Sequence, residues 1–438
     1  MWQKYHMKEG ISVKRLIIHM IFFCFIITAC QMSQKDMQQA TYNQEDKLTL
    51  NEYLYEKTNY KLFINKEKSL ELYEPPNNCY IGAYILSNPD LNFEIDNFEE
   101  ITKKSHGIYL RNLKLGKPFP IEWVLECTAK MKTPFIIVQP PSIDYPYQDF
   151  LLEETARAFG EYYIPIFVEF YPDPQQYGNS KEYKEFFNKA RNIFNKYAPN
   201  VAFVWSVNYK NIKDSMPYYP GDDFVDWVAI NLYDMLDVEN KDDVIDNKDI
   251  FNEIDFFYFL FQDKKPIMIS QLGISHYSKQ NHGYYVDEAA KKIEDFYKKI
   301  KIYYPQIKTV NYMDFDNIEV APEEMGYDNF KITAHKNLLE SYISVVNNEY
   351  FTDSLDTQNH GQKAHYWFVS YYPIYKKDNE FFISDKVLEY EWNIKNLNLE
   401  EIDSIKINDS TYYLLSKLAR DNGFNIIIND KDKIIKVN

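Results

Sequence analysis

The chain has 438 residues, too many for one ordinary domain and suited to a single barrel of roughly 250 residues with smaller attachments. Its net charge of -16 excludes a nucleic-acid partner, whose phosphates demand a basic footprint, and disfavours docking on anionic lipid. Hydrophobic residues at 45% and aromatics at 17%, with 39 Tyr and 30 Phe, suffice for a large core and leave rings over for a binding surface.

Residues 1–30 read as a targeting segment outside the fold. Lys4, Lys8, Lys14 and Arg15 form a basic start, and residues 16–29 are apolar but shorter than the roughly 20 residues a spanning helix needs. The segment ends Ile27-Thr28-Ala29-Cys30, which resembles the bacterial lipobox; a plain signal peptide or a single anchor helix is the alternative. The resemblance implies that Cys30 is diacylated and becomes the new N-terminus, and two acyl chains hold a protein stably where one binds marginally. The expected location is extracytoplasmic, with a lipid anchor at Cys30 in the bacterial cell membrane. Residues 31–75 follow as a polar tether and an alternating lead-in segment, a small hairpin or strand, up to the break at Pro75-Pro76-Asn77-Asn78. Cys79 and Cys127 are expected as buried free thiols. With no CxxC, HExxH or histidine cluster, no metal or other cofactor is expected.

From there apolar runs and helical patterns alternate. Candidate strands cover 79–85, 107–110, 135–139, 165–170, 201–207, 227–232, 266–271 and 309–315, with helical patterns at 122–131, 149–162, 182–196, 287–302 and 329–346. Eight apolar strands with crossover helices specify an α/β fold, a (β/α)8 TIM barrel over 76–347. A polar stretch, 348–363, reads as a linker. Residues 364–438 read as a small α+β module with a helix at 411–422 and closing strands at 425–428 and 434–437. Thr411-Tyr412, Leu415, Leu418-Ala419, Gly423 and the last strand resemble the copper amine oxidase N-terminal-like (stalk) domain; Leu414 and Ser416 depart from its usual Pro and Arg. No copper ligand set accompanies it, and the resemblance implies a spacer or wall-attachment role.

The chemistry centres on Ile164-Pro165-Ile166-Phe167-Val168-Glu169-Phe170-Tyr171-Pro172-Asp173-Pro174, a buried strand that delivers one carboxylate to its C-terminal end, where barrels keep their active sites. A Glu held in a structural ion pair is the competing reading. Gln271 ends the seventh strand in Lys265-Pro266-Ile267-Met268-Ile269-Ser270-Gln271-Leu272-Gly273. Together with Tyr219-Pro220-Gly221-Asp222-Asp223-Phe224-Val225-Asp226-Trp227 and the following Asn231 and Tyr233, these stretches resemble glycoside hydrolase family 26, the β-mannanase family. The resemblance spans most of 76–347. It implies a Glu169 acid/base, Trp205 and Tyr233 near the sugar, and a β-linked polysaccharide or cell-wall glycan as partner. Two positions depart from the family: Val168 stands where His is usual, and Gln271 stands where the nucleophilic Glu belongs. A neutral amide can neither attack C1 nor hold the charge that an oxocarbenium-like transition state requires.

Asp173, Asp234 and Asp314 are the carboxylates available for a rearranged pair, each also readable as structural. Trp205 and Tyr312 are candidates for sugar platforms or for core, and His276 and Tyr277, just past Gln271, are cleft candidates. Two functions follow. One is a surface lipoprotein whose hydrolase-like barrel binds a β-linked polysaccharide with hydrolysis lost or weakened, a pseudoenzyme. The other is an active β-mannanase-like hydrolase using Glu169 with a rearranged carboxylate. A purely structural, wall-associated scaffold is a third reading.

Overall fold

Apolar runs become strands from residue 79 onward in the computed structural model, which describes residues 55–235, 238–240, 243–244, 250–278, 282–318, 328–392, 397, 399 and 401–438. The targeting segment with Cys30 and the tether lie outside the described residues. The repeating units are β1 (Cys79–Tyr84) with α1 (Ile95–Thr102), β2 (Ile108–Lys114) with α2 (Ile121–Ala129), and β3 (Thr133–Gln139) with α3 (Leu152–Gly160). Next come β4 (Ile166–Phe170) with α4 (Ser180–Tyr197), and β5 (Val201–Asn208) with the one-turn α5 (Ile212–Ser215). The last three are β6 (Trp227–Asp234) with α6 (Ile250–Phe261), β7 (Ile267–Ile274) with α7 (Val286–Tyr303), and β8 (Ile307–Met313) with α8 (Lys336–Val346).

Every neighbouring pair of these strands is parallel, and β8 pairs back onto β1 through Thr309 and Tyr80, so the sheet closes into an eight-stranded barrel. Parallel strands covered on both faces need apolar side chains on both, which is why these segments read as unbroken hydrophobic runs. Inside lies one cluster, including Tyr80, Ile108, Phe135, Phe167, Val204, Ala229 and Met268. Outside, the helices bury a stripe with helical spacing; α4 contributes Tyr183, Phe186, Phe187, Ala190 and Phe194, and Asn179 caps it by accepting from the Glu182 amide at 2.9 Å.

All eight expected strands are present. The last helical pattern, read over 329–346, begins at Lys336 because Ile332–Ala334 forms a tighter turn first. The lead-in is no hairpin: Lys61–Ser69 pairs antiparallel with Lys363–Val369, some 300 residues away in the chain. The stretch 70–76 then crosses the N-terminal end of the barrel. Tyr73 stacks edge-on against Phe167 at 5.7 Å and donates to the Asn200 carbonyl at 2.8 Å, Trp227 Nε1 donates to the Leu72 carbonyl at 2.8 Å, and Lys308 Nζ donates to the Pro76 carbonyl at 2.9 Å. This end is therefore plugged, and the C-terminal end of the strands is left for chemistry.

The polar stretch expected as a linker is attached to the barrel: Phe351–Thr352 adds in parallel to Cys79–Tyr80, and the Asp356 amide donates to Tyr80 Oη at 2.8 Å. Its low hydrophobicity hides backbone pairing, which needs no apolar side chain. By internal contacts the described residues form two compact units, 63–369 with 429–438, and 55–62 with 370–428. In the smaller unit an antiparallel sheet runs in the order Glu56–Lys57, Ile374–Lys377, Glu380–Ser384, Ser410–Leu414, Ser404–Ile407. The expected helix at 411–422 is split, because Ser410–Leu414 is a strand and the helix is Leu415–Asn422, closed by Gly423 at φ +79°. The closing strand Ile434–Val437 belongs to the larger unit and lies beside the lead-in strand, whose residues 63–69 are in the same unit, with Lys436 Nζ 4.8 Å from the Trp367 ring. Cys79 and Cys127 are buried free thiols.

Candidate functional site

Above the apolar layer of the barrel, alternation along each strand brings a second, polar layer inward. Glu169 follows Phe167, Ser206 follows Val204, Asn231 follows Ala229, and Asn311 stands two residues before Met313. Gly82 occupies the corresponding place on β1, where a Cβ would lie 2.2 Å from Asn311 Oδ1 and 2.6 Å from the Ile108 carbonyl, so only glycine leaves room for the amide. On β7 the register slips between Ile269 and Gln271. Such a bulge re-aims side chains, and here it turns both Ser270 and Gln271 toward the interior.

Glu169 is fully buried at the centre of this layer. Asn231 Nδ2 and Ser270 Oγ each donate to its Oε1 at 3.4 Å, both long contacts, Ser270 also donates to Asn231, and Asn311 Nδ2 reaches the Ser270 carbonyl at 3.3 Å. Burial raises the Glu169 carboxyl from 4.5 to about 7, and the charge of Asp173 pushes the same way; Ser206, Asn231 and the Gln271 amide only partly oppose this. The group is thus poised to hold its proton near neutrality, as a general acid requires.

Gln271, half-buried, accepts from Tyr233 Oη at 2.5 Å through Oε1. Tyr233 begins an aromatic arc around the mouth: its ring lies 5.4 Å from Phe330, which lies 5.4 Å from Phe315, which lies 6.0 Å from Tyr84. Gly273 permits the start of this arc, since a Cβ there would sit 2.8 Å from both the Tyr233 and Phe330 rings. Tyr84, Phe315 and Phe330 were not among the sequence candidates. Tyr84 was readable in principle, two residues beyond Gly82 on the same face; Phe330 comes from a loop with no such period.

Asp173 follows β4 with φ +54°, in the left-handed region that a non-glycine residue occupies only at a cost, and Tyr171 two residues earlier has φ +51°. Burial raises the Asp173 carboxyl from 3.8 to about 6, against a backbone hydrogen bond from Asn208. Of the three candidate carboxylates, Asp173 is the one whose charge figures among the main influences on Glu169. Asp314 instead accepts from Asn88 Nδ2 at 2.6 Å and Thr333 Oγ1 at 2.9 Å, and Asp234 pairs with Lys292 at 2.9 Å, so both serve the loops around the barrel.

Trp205 and Tyr312 require correction as sugar platforms. Both are fully buried on the helix-facing side of their strands, Trp205 against Tyr219 at 5.0 Å and Phe261 at 6.1 Å, and Tyr312 against Tyr342 at 5.8 Å. Alternation decides this, since Val204 and Met313, their chain neighbours, are the residues that point inward. His276 and Tyr277 are buried in the loop after β7. His276 packs 5.1 Å from His335 and burial lowers its imidazole to about 4; Tyr277 Oη meets His282 Nδ1 at 3.0 Å. Glu169, Gln271 and Tyr233 are the sequence candidates that come together.

No family model matches the chain, and no curated protein matches it. Solved structures do. An endo-β-1,4-mannanase from Cellulomonas fimi, of glycoside hydrolase family 26, is similar with 11% identity and a TM-score of 0.47, over 67% of this chain and 81% of that one. A β-mannanase from a symbiotic protist of the termite Reticulitermes speratus, solved with a gluco-manno-oligosaccharide, gives 11% and 0.42 over 66% and 99%. An endo-1,4-β-xylanase from Caldicellulosiruptor owensensis gives 12% and 0.45 over 61% and 96%.

Proposed function

We propose that the protein is a surface lipoprotein whose barrel binds a β-linked polysaccharide and has lost or weakened hydrolysis. One observation carries this: at the strand-seven position where a retaining hydrolase needs a carboxylate, the chain presents the neutral amide of Gln271, held by Tyr233 at 2.5 Å and facing Glu169. The amide cannot form a glycosyl ester, whereas the aromatic arc beside it and the amides and hydroxyls below it suit sugar rings and their hydroxyls. The lipobox-like Cys30 supports attachment to the membrane, and the stalk-like motifs of the smaller unit support a spacer role. A glycan-binding screen on the protein from residue 31 onward, run beside an assay for released reducing ends, tests it: binding without release is expected, and rapid release refutes the loss of hydrolysis.

A second reading is favoured by Asp173, which bears on Glu169 and whose carboxyl is raised to about 6. In it, the protein is a hydrolase with a rearranged pair. Reducing-end release abolished by Asp173→Asn but retained in Gln271→Ala would establish that reading.

A further inference from the structure

Beside the barrel mouth, the loops that follow β3 and β4 enclose a groove of about 430 Å³, within the range of roughly 300–1,000 Å³ that small-ligand sites occupy. Its walls are pinned. Tyr171 Oη donates to the Pro146 carbonyl at 2.6 Å, Tyr147 Oη donates to the Tyr177 carbonyl, and Tyr218 Oη donates to the Gly178 carbonyl at 2.8 Å. Yet this fixed frame turns two apolar side chains out to solvent: Tyr145 is 75% exposed and Ile143 57% exposed. Lone exposed apolar residues need no explanation, but two on a backbone pinned around a concavity form a platform.

The polar lining consists of Asp144, Gln176 and Glu182, and no lysine or arginine faces the groove. Such a wall repels phosphates, sulfates and uronates, while its oxygens accept hydrogen bonds from uncharged hydroxyls. The groove lies on the side of the barrel where β3 and β4 end, since residues 143–147 follow β3 and Gln176, Tyr177 and Gly178 follow β4. We propose that this groove is a binding site for a neutral β-linked glycan, with Tyr145 as the stacking platform for a pyranose ring and Asp144, Gln176 and Glu182 as acceptors for its hydroxyls. It rests on the glycan-binding reading above and adds where the chain is held: on the strand-four side of the mouth, at residues that a disabled nucleophile leaves untouched.

The test measures binding of mannohexaose, cellohexaose and chitohexaose to the protein from residue 31 onward by calorimetry. It compares wild type with Tyr145→Ala, Tyr145→Phe, Glu182→Gln and the mouth variant Phe315→Ala, with thermal unfolding as the control for folding. Tyr145→Ala should weaken the best hexaose about tenfold with an unchanged melting temperature, and Tyr145→Phe should restore it, since the ring face does the work. Equal affinity in wild type and Tyr145→Ala, with binding lost only in Phe315→Ala, overturns the groove while leaving the glycan-binding reading intact. No binding by wild type overturns both. Sedimentation that reveals self-association abolished by Tyr145→Ala would assign the groove to a second copy of the chain and also overturn the proposal.

Discussion

Tyr233 donates its hydroxyl to Gln271 Oε1 at 2.5 Å, which leaves the amide nitrogen of Gln271 to face the buried carboxyl of Glu169. A carboxylate at 271 would accept the same tyrosine proton and stand ready to attack C1. Gln271→Glu is therefore expected to turn background into measurable release of reducing ends from mannohexaose or cellohexaose, and Gln271→Glu with Tyr233→Phe to lose most of that gain. Wild-type release undiminished by Gln271→Ala would show that the amide is irrelevant to catalysis.

Burial raises the Glu169 carboxyl from 4.5 to about 7. Between those values the folded protein keeps a proton that the unfolded chain releases, so stability falls as pH rises through this window and stays low above it. Asp173, raised from 3.8 to about 6, acts in the same direction. Glu169→Gln removes the larger contribution. It should stabilise the protein by about 3 kcal/mol at pH 8 and by little at pH 4. Denaturant unfolding at the two pH values measures this, and an equal effect at both would refute the raised carboxyl.

Val168 stands where the resembling family has histidine, which suggests restoring it. The structure argues otherwise. Phe167 and Glu169 point inward, so Val168, fully buried, points to the helix layer. Val168→His should therefore cost about 2 kcal/mol or more through an unpartnered buried imidazole and should not assist Gln271→Glu. Unfolding curves and reducing-end assays on the single and double variants decide it.

The plug at the base of the barrel is open to a direct test. Tyr73 is 6% exposed, packs on Phe167 at 5.7 Å and bonds the Asn200 carbonyl at 2.8 Å. Tyr73→Ala should destabilise the barrel by about 3 kcal/mol or more, as for other large aromatic deletions from a core. A loss under about 0.5 kcal/mol, the level of surface substitutions, would mean that the lead-in is a loose tether.

Membrane attachment is expected to run through Cys30. Cys30→Ala should abolish incorporation of labelled fatty acid and either release the protein or leave the segment 1–30 uncleaved. Label retained by that variant would rule out the lipobox.

What the sequence determined by itself is the succession of elements. Eight apolar runs punctuated by proline and polar turns were enough for a closed parallel barrel, and Pro172 after Glu169 marked a strand end that carries a carboxylate. Gln271 was legible from the stretch Lys265 to Gly273, although it does not end its strand, which runs on to Ile274. Which face of each strand looks inward was not legible, because a strand buried on both sides has no amphipathic period to betray it. Trp205 and Tyr312 therefore read equally as platforms or as core and prove to be core, and the register slip at Ser270 that turns Gln271 into the mouth leaves no mark in composition. Only the tertiary structure decided the arc from Tyr233 to Tyr84, the plug made by Tyr73 and the anchoring of 351–356. Each joins residues far apart in the chain, and such contacts depend on barrel closure, which no local pattern encodes.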